Sequence, residues 1–229
     1  MLIVLLHALP FDGRMWSEED LQVSANVLVP DLFELGDSIT DWAEAVLAKA
    51  GGEEILAIGN SVGGSCALEL AYLAPKQVSA LVLIGSKASV RPDPIAREQA
   101  IRTLETEGLG AAWSAYWEPL FGASVSPNVL SSARELAMSQ DVHQVVNGVR
   151  AFYDRKDRSE FAASWPKPLV VISGDQDRTP PPSAIREPGE GPKRRFHIVH
   201  DCGHYVSLEQ PQRFHSIVAD LNACIARGL

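Results

Sequence analysis

A serine in a glycine-rich turn is the first residue whose setting suggests chemistry. The segment Gly59-Asn60-Ser61-Val62-Gly63-Gly64 follows the apolar run 54–58 and opens the helical stretch 62–74. A strand-to-helix turn of the form GxSxG exposes its serine at the carboxyl edge of a sheet and needs glycines where side chains would collide. The amino end of the following helix would also point the Val62 N–H at a developing oxyanion. We predict that Ser61 is a nucleophile; the competing interpretation is a glycine-rich turn with only a structural role.

A serine hydroxyl is a weak nucleophile at neutral pH, so this prediction requires a histidine base and an acid that orients it. Of the six histidines, His204 lies in the loop between the run 194–199 and the last helical stretch, which places it at the same edge as Ser61. The loop after the run 168–173 offers Asp175 and Asp177, and either of them could instead be a turn-forming residue.

Short apolar runs alternate with longer amphipathic stretches, which is the pattern of a parallel sheet covered by helices. The predicted strands are 2–6, 26–29, 54–58, 78–84, 168–173 and 194–199, with 54–58 central, and the predicted helices between them are 40–50, 62–74 and 208–226. The fold class that follows is α/β, with a mostly parallel sheet of about six strands and helices on both faces.

The stretch between Ser86 and Pro166 shows no clear strand and is too long for a simple crossover. We predict an inserted helical cap at 87–165, with helices over 93–107, 109–120, 127–139 and 142–155 and a break at Gly108. The residues 1–86 and 166–229 would then form one core domain.

Composition excludes several classes of protein. With 229 residues, 46% of them hydrophobic and 21% charged, the chain can bury a sizeable core and is not disordered. The net charge of −9 argues against a nucleic-acid partner, and no apolar run approaches the roughly 20 residues that span a bilayer. The three cysteines show no metal-binding spacing, so we expect reduced thiols, no metal and a cytoplasmic protein. A small-molecule substrate is the expected partner, and the oligomeric state stays open.

These motifs resemble the α/β-hydrolase fold family over nearly the whole chain. His7-Ala8-Leu9-Pro10 is similar to the family's oxyanion loop, Gly59 to Gly64 to its nucleophile elbow, Gly174 to Asp177 to its acid loop, and Gly203-His204 to its histidine loop. The resemblance implies a catalytic triad of Ser61, Asp177 and His204, because the family's acid stands three residues after the glycine. It also implies an oxyanion hole formed by the N–H groups of Leu9 and Val62, and no cofactor.

Two departures from the family pattern are visible. The sequence begins on the strand before the oxyanion loop, so we expect a sheet that lacks the family's N-terminal hairpin. Ala8 stands where the family usually has glycine, and a positive φ at that position would strain the loop.

Serine at position 61 argues against relatives that use aspartate there, such as haloalkane dehalogenases and epoxide hydrolases. The resemblance therefore favours hydrolysis of a small carboxylic ester or lactone through an acyl-enzyme. Asn60 beside the serine is similar to hydrolases that cleave carbon–carbon bonds in ring-fission diketones, and a non-catalytic ligand receptor of the same fold is a further alternative. The expected pocket residues are Phe11, Trp16, Asn60, Trp113, Trp117 and Tyr205.

Overall fold

The computed structural model describes residues 1–17 and 26–226. Its centre is a sheet in the order β2-β1-β3-β4-β5-β6, in which each pair of neighbouring strands is parallel. The strands are β1 Leu2–Leu6, β2 Asn26–Leu28, β3 Ile55–Asn60, β4 Val78–Ile84, β5 Leu169–Gly174 and β6 Arg194–Val199. The predicted α/β class and the interior position of the third strand are confirmed.

Eight α-helices are seen in the described part of the chain. They are α1 Ile39–Ala50, α2 Val62–Leu73, α3 Pro94–Ala112, α4 Pro127–Met138, α5 Val142–Tyr153, α6 Ser159–Ser164, α7 Val206–Glu209 and α8 Pro211–Ala226. Of these, α3 to α6 lie between β4 and β5, in the stretch where the sequence predicts helices and no strand.

The helices differ from the prediction in three places. The predicted helix 208–226 is two helices, because Pro211 disfavours helical backbone at Gln210, where φ is −136°. The predicted helix 109–120 is the end of α3 followed by a π-helical turn Trp113–Trp117 and a 3₁₀ turn Glu118–Leu120. The short helix α6 was not predicted at all, since six residues are too few for a clear periodic pattern.

Because the strands are parallel, the loops that carry Ser61, Asp177 and His204 all lie at the carboxyl edge of the sheet. β3 ends beside the end of β4, where Asn60 pairs with Ile84, and β5 ends beside β6, where Gly174 pairs with Val199. The chain turns back after β2, so β3 lies on the other side of β1. Such a reversal in strand order opens a crevice at the carboxyl ends of the strands, which is where ligands bind in open α/β sheets.

Candidate active site

Ser61 occupies the sharp turn between β3 and α2. Its backbone has φ 55° and ψ −116°, a conformation that a non-glycine residue adopts only when the surrounding structure holds it. The Ser61 N–H donates to the carbonyl oxygen of Ile84 at 2.8 Å, and the Ser86 hydroxyl donates to the Ser61 carbonyl oxygen at 2.9 Å. A β-carbon on Gly63 would collide with the carbonyl oxygen of Leu6, so the turn also depends on glycine where it packs against β1.

His204 and Asp177 form a buried pair at the same edge. The His204 Nδ1–H donates to Asp177 Oδ2 at 2.8 Å, and the two residues are 2% and 3% exposed. The second carboxylate oxygen of Asp177 accepts the Thr179 N–H at 2.8 Å. With Nδ1 acting as the donor, a neutral His204 carries its lone pair on Nε2, as a general base requires.

The structure shows which of the two candidate aspartates, Asp175 or Asp177, contacts His204. Asp175 is exposed, and its Oδ2 lies 3.1 Å from Nδ1 of His200. It therefore belongs to a surface pair, whereas Asp177 is the carboxylate that contacts His204.

The two backbone amides predicted to form an oxyanion hole follow β1 and Ser61. Within residues 1–17 and 26–226, neither the Leu9 N–H nor the Val62 N–H has a hydrogen-bond partner, so both donors are available. Ala8, the departure from the family pattern, is not among the non-glycine residues with positive φ, and its N–H donates to the Met15 sulfur at 3.1 Å. The expected strain at Ala8 is therefore absent.

The loop that carries His204 is held by a carboxylate that the sequence analysis gave no role. Glu209 accepts the N–H groups of Gly203 and Gly122 on Oε2, at 3.0 Å and 2.7 Å, and that of Tyr205 on Oε1 at 3.1 Å. Burial raises the pKa of Glu209 although these three bonds act to lower it. The His204 N–H itself donates to the Leu120 carbonyl oxygen at 2.9 Å. In the sequence, Glu209-Gln210-Pro211 follows Gly203-His204 as part of the segment that resembles the family's histidine loop, but this resemblance assigns Glu209 no role.

A cavity of about 90 Å³ opens beside Ser61. Its walls come from α2, the loop after β4, the end of α5 and the loop after β5, and consist of Ser61, Ser65, Gly85, Ser86, Lys87, Phe152, Arg155, Thr179 and Pro180. Ligand sites for drug-sized molecules are about 300 to 1,000 Å³, so this space suits a compact group. Neither Lys87 nor Arg155 is among the pocket residues expected from the sequence.

None of the six residues predicted to line a pocket borders this cavity. Phe11 packs edge-on against Trp113 and Tyr205, with ring centroids 6.3 Å and 5.1 Å apart, and all three are fully buried. Trp16 contacts Phe214 in the core. The six belong to the packed interior, and a role for any of them in contacting substrate stays a prediction.

Two of these six residues, Tyr205 and Asn60, form hydrogen bonds that connect the loops of the site. The Tyr205 hydroxyl donates to the Leu9 carbonyl oxygen at 3.0 Å, which ties the histidine loop to the oxyanion loop. The side-chain amide of Asn60 donates to the carbonyl oxygens of Ile84 and His204 at 3.1 Å and 3.3 Å. Asn60 therefore links the serine turn to the backbone of the histidine.

Together these groups present a hydroxyl on a strained turn, a histidine oriented by a carboxylate, and two free amide donors. This arrangement is suited to attack by a serine on a carbonyl carbon, with the oxyanion held by backbone N–H groups. Among the described residues no three His, Cys, Asp or Glu side chains cluster in a way that could hold a metal ion.

A comparison with models of known protein families identifies the family of this chain. The model of the alpha/beta hydrolase family matches residues 3–217. The chain belongs to this family.

The individual relatives share low sequence identity with this chain. A 2-hydroxymuconate semialdehyde hydrolase from Pseudomonas sp. (strain CF600) is 27% identical over 244 aligned positions, which cover 89% of this chain and 78% of the relative. Among solved structures, a thermophilic esterase from Thermogutta terrifontis superimposes with a TM-score of 0.89 at 22% identity, covering 97% of this chain and 89% of the esterase. The enol-lactonase from Burkholderia xenovorans LB400 gives 0.85 at 23% identity, covering 97% and 91%. At such identities the structural likeness speaks for the fold alone.

Proposed function

We propose that this protein is a serine hydrolase that cleaves a small carboxylic ester or lactone through an acyl-enzyme. The observation that carries the proposal is the 2.8 Å bond between His204 Nδ1 and Asp177, on the sheet edge where Ser61 is held in its turn.

In the proposed mechanism Ser61 Oγ attacks the carbonyl carbon while His204 Nε2 takes the hydroxyl proton. The Leu9 and Val62 amides stabilise the oxyanion, and Asp177 stabilises the imidazolium without taking a proton. His204 then protonates the leaving alkoxide, which departs and leaves an acyl-serine. Water deprotonated by His204 attacks the acyl-serine, and Ser61 regains its proton as the acid is released.

We assign the helices of 87–165 to a cap over the site. Support comes from contacts across the sheet edge: Phe152 and Arg155 border the cavity beside Ser61. The loop after the 3₁₀ turn Glu118–Leu120 also bonds to the histidine loop through the Gly122 N–H and Glu209. A cavity of about 90 Å³ favours compact acyl groups over long chains.

Carbon–carbon bond hydrolysis is the second candidate. It is favoured by the 27% identity to an enzyme named 2-hydroxymuconate semialdehyde hydrolase. Asn60, the residue that suggested this activity from sequence, is fully buried, and its Nδ2 donates to two backbone carbonyl oxygens. We therefore rank ester or lactone hydrolysis first.

A substrate panel separates the candidates. We expect wild-type protein to hydrolyse p-nitrophenyl butyrate or a six-membered lactone with kcat/KM well above that for a vinylogous ring-fission diketone, and Ser61→Ala to hydrolyse none. Faster turnover of the diketone would transfer the assignment to carbon–carbon hydrolysis. Absence of turnover on all three by folded protein would favour a ligand receptor.

A further inference from the structure

Two cationic side chains border the cavity beside Ser61. Lys87 follows β4 and reaches the cavity from the sheet side, and Arg155 reaches it from the segment after α5. Backbone contacts fix these two segments together: the Arg158 N–H donates to the Ala88 carbonyl oxygen at 2.8 Å, and the Val90 N–H donates to Asp157 at 2.9 Å.

Neither cation has a carboxylate partner in the part of the chain that the structure describes. Arg155 Nη1 donates to the Phe152 carbonyl oxygen at 2.5 Å, its guanidinium lies 4.1 Å from the centre of the Phe152 ring, and its Nε is buried without a partner. Lys87 forms no hydrogen bond or ion pair with any described residue. Nearby Arg158, in contrast, is bound by Glu69 through two bonds of 2.8 Å and 2.9 Å.

The two positive charges of Lys87 and Arg155 contrast with the net charge of −9 that the whole chain carries. The two acidic residues nearest to Arg155 in the sequence have other partners: Asp154 accepts a hydrogen bond from Arg97, and Asp157 accepts the Val90 and Ser159 N–H groups. A cleft lined by one sign of charge and by low-dielectric walls, here Phe152 and Pro180, concentrates the field and attracts the opposite charge. A guanidinium with an unused N–H also offers donor geometry that matches a carboxylate.

We propose that Lys87 and Arg155 form a carboxylate-binding subsite, and that the substrate is an ester or lactone bearing a second, non-reacting carboxylate. The inference rests on the proposed function and specifies its substrate class. Because the cavity also contains Ser61, the carboxylate would lie within a few bonds of the scissile carbonyl.

Paired esters that differ only in charge test the subsite. On the acyl side, the p-nitrophenyl monoester of glutarate is compared with p-nitrophenyl 5-methylhexanoate, in which an isopropyl group replaces the carboxylate. On the alcohol side, 4-carboxyphenyl butyrate is compared with 4-isopropylphenyl butyrate. We expect wild type to favour the charged member of at least one pair in kcat/KM, and Lys87→Gln or Arg155→Gln to lower that ratio by about tenfold or more.

Matched controls remove the same charge elsewhere. Lys49→Gln and Arg102→Gln alter exposed residues on α1 and α3, and we expect both to keep the wild-type ratio. Melting temperatures identify any variant that fails to fold. Equal ratios in wild type, Lys87→Gln and Arg155→Gln, with both members of a pair hydrolysed, would overturn the subsite and leave the proposed function standing.

A binding measurement covers the case in which wild type hydrolyses no ester. The probe is 5-oxo-5-phenylpentanoate, a ketone with a distal carboxylate, titrated calorimetrically into Ser61→Ala protein. Weaker binding after Lys87→Gln or Arg155→Gln is added would support the subsite even though the proposed function had failed. An unchanged Kd, or no binding to Ser61→Ala itself, would overturn it.

Discussion

At the scale of single residues, the site depends on how Asp177 holds His204. One carboxylate oxygen accepts the imidazole Nδ1–H, and the other accepts the Thr179 N–H, so the carboxylate cannot rotate without losing a bond. The pair is almost fully buried, which strengthens its electrostatic interaction. A change at Asp177 should therefore act through the orientation and tautomer of His204.

Asp177→Asn should reduce kcat by orders of magnitude, up to about 10⁴-fold by analogy with other triads, because the amide favours the wrong histidine tautomer. The matched control is Asp175→Asn, two residues away in the same loop but paired with His200 on the surface. We expect little loss of kcat in this control. Steady-state kinetics on a p-nitrophenyl ester make the comparison, and a larger loss in Asp175→Asn would contradict the assignment of the acid.

Gly85 allows a second test of the same pair. A β-carbon there would lie 2.8 Å from His204 Nδ1 and 3.1 Å from Asp177 Oδ2, and φ is 54°. Gly85→Ala should displace the pair and lower kcat by about tenfold or more, since small misplacements of catalytic groups are costly.

Gly51→Ala separates backbone strain from this collision. Gly51 has nearly the same φ, 58°, but nothing lies within 4 Å of an added β-carbon. We expect it to lower the melting temperature through the strained φ and to keep kcat. If both variants lost kcat equally, the collision with His204 would not be the cause.

Sequence identifies some of these residues and misses others for a physical reason. Ser61 and His204 can be predicted from local motifs and their place among the strands, whereas Asp177 is distinguished from Asp175 only by the resemblance to the family's acid loop. The three bonds of Glu209 and the place of Arg155 beside Ser61 depend on how distant loops and helices pack. No periodicity or motif encodes such contacts.

At the scale of elements, one buried ion pair joins α2 to the segment before α6. The Glu69 and Arg158 side chains are 3% and 14% exposed, and the guanidinium also lies 3.7 Å from the centre of the Tyr72 ring. Because α2 begins immediately after Ser61, this pair joins the segment between α5 and α6 to the helix that follows the serine. Its strength should show in the stability of the whole domain.

Glu69→Gln should destabilise folding by about 3 to 5 kcal/mol, since it leaves a buried guanidinium without its counter-charge. The control is Glu105→Gln, which breaks an exposed pair between α3 and α5 with side chains 48% and 43% exposed. Exposed pairs contribute about 0 to 1 kcal/mol. Urea denaturation gives both values, and equal small losses would show that the Glu69–Arg158 pair does not stabilise the fold more than an exposed pair does.

Element boundaries were harder to predict than element types. All six strands appear within one or two residues of their predicted positions, because buried parallel strands are continuous apolar runs. The predicted break at Gly108 is present, with φ 82° inside α3, whereas the break before Pro211 was missed. The apolar periodicity continues across Gln210, and only the restriction that proline places on the preceding residue interrupts the helix.

At the scale of the whole molecule, the described helices include none that is both long and apolar enough to span a membrane. Stability should depend on pH through buried titratable groups. Burial lowers the pKa of His197 on β6 below its ordinary value of 6.5; Arg195 and Arg213 also lower it, and Asp220 opposes them.

Because the pKa of His197 is depressed on folding, the unfolded chain binds its proton more tightly. Its contribution to stability is therefore present above pH 6.5 and is lost as the pH falls through the folded value. Between about pH 7.5 and about pH 5.5, the melting temperature of wild type should fall further than that of His197→Gln. The control, exposed His143→Gln, should behave as wild type. Equal falls in wild type and His197→Gln would contradict the prediction.

Covalent trapping tests whether Ser61 is a nucleophile that His204 and Asp177 activate. Folded protein is incubated with a fluorophosphonate, and the adduct is counted by intact mass spectrometry and located by peptide mapping. We predict one adduct on the peptide that contains Ser61, no adduct in Ser61→Ala, and much slower labelling in His204→Ala. Labelling that persists in Ser61→Ala, or wild-type protein that hydrolyses esters while Ser61 stays unlabelled, would contradict the account.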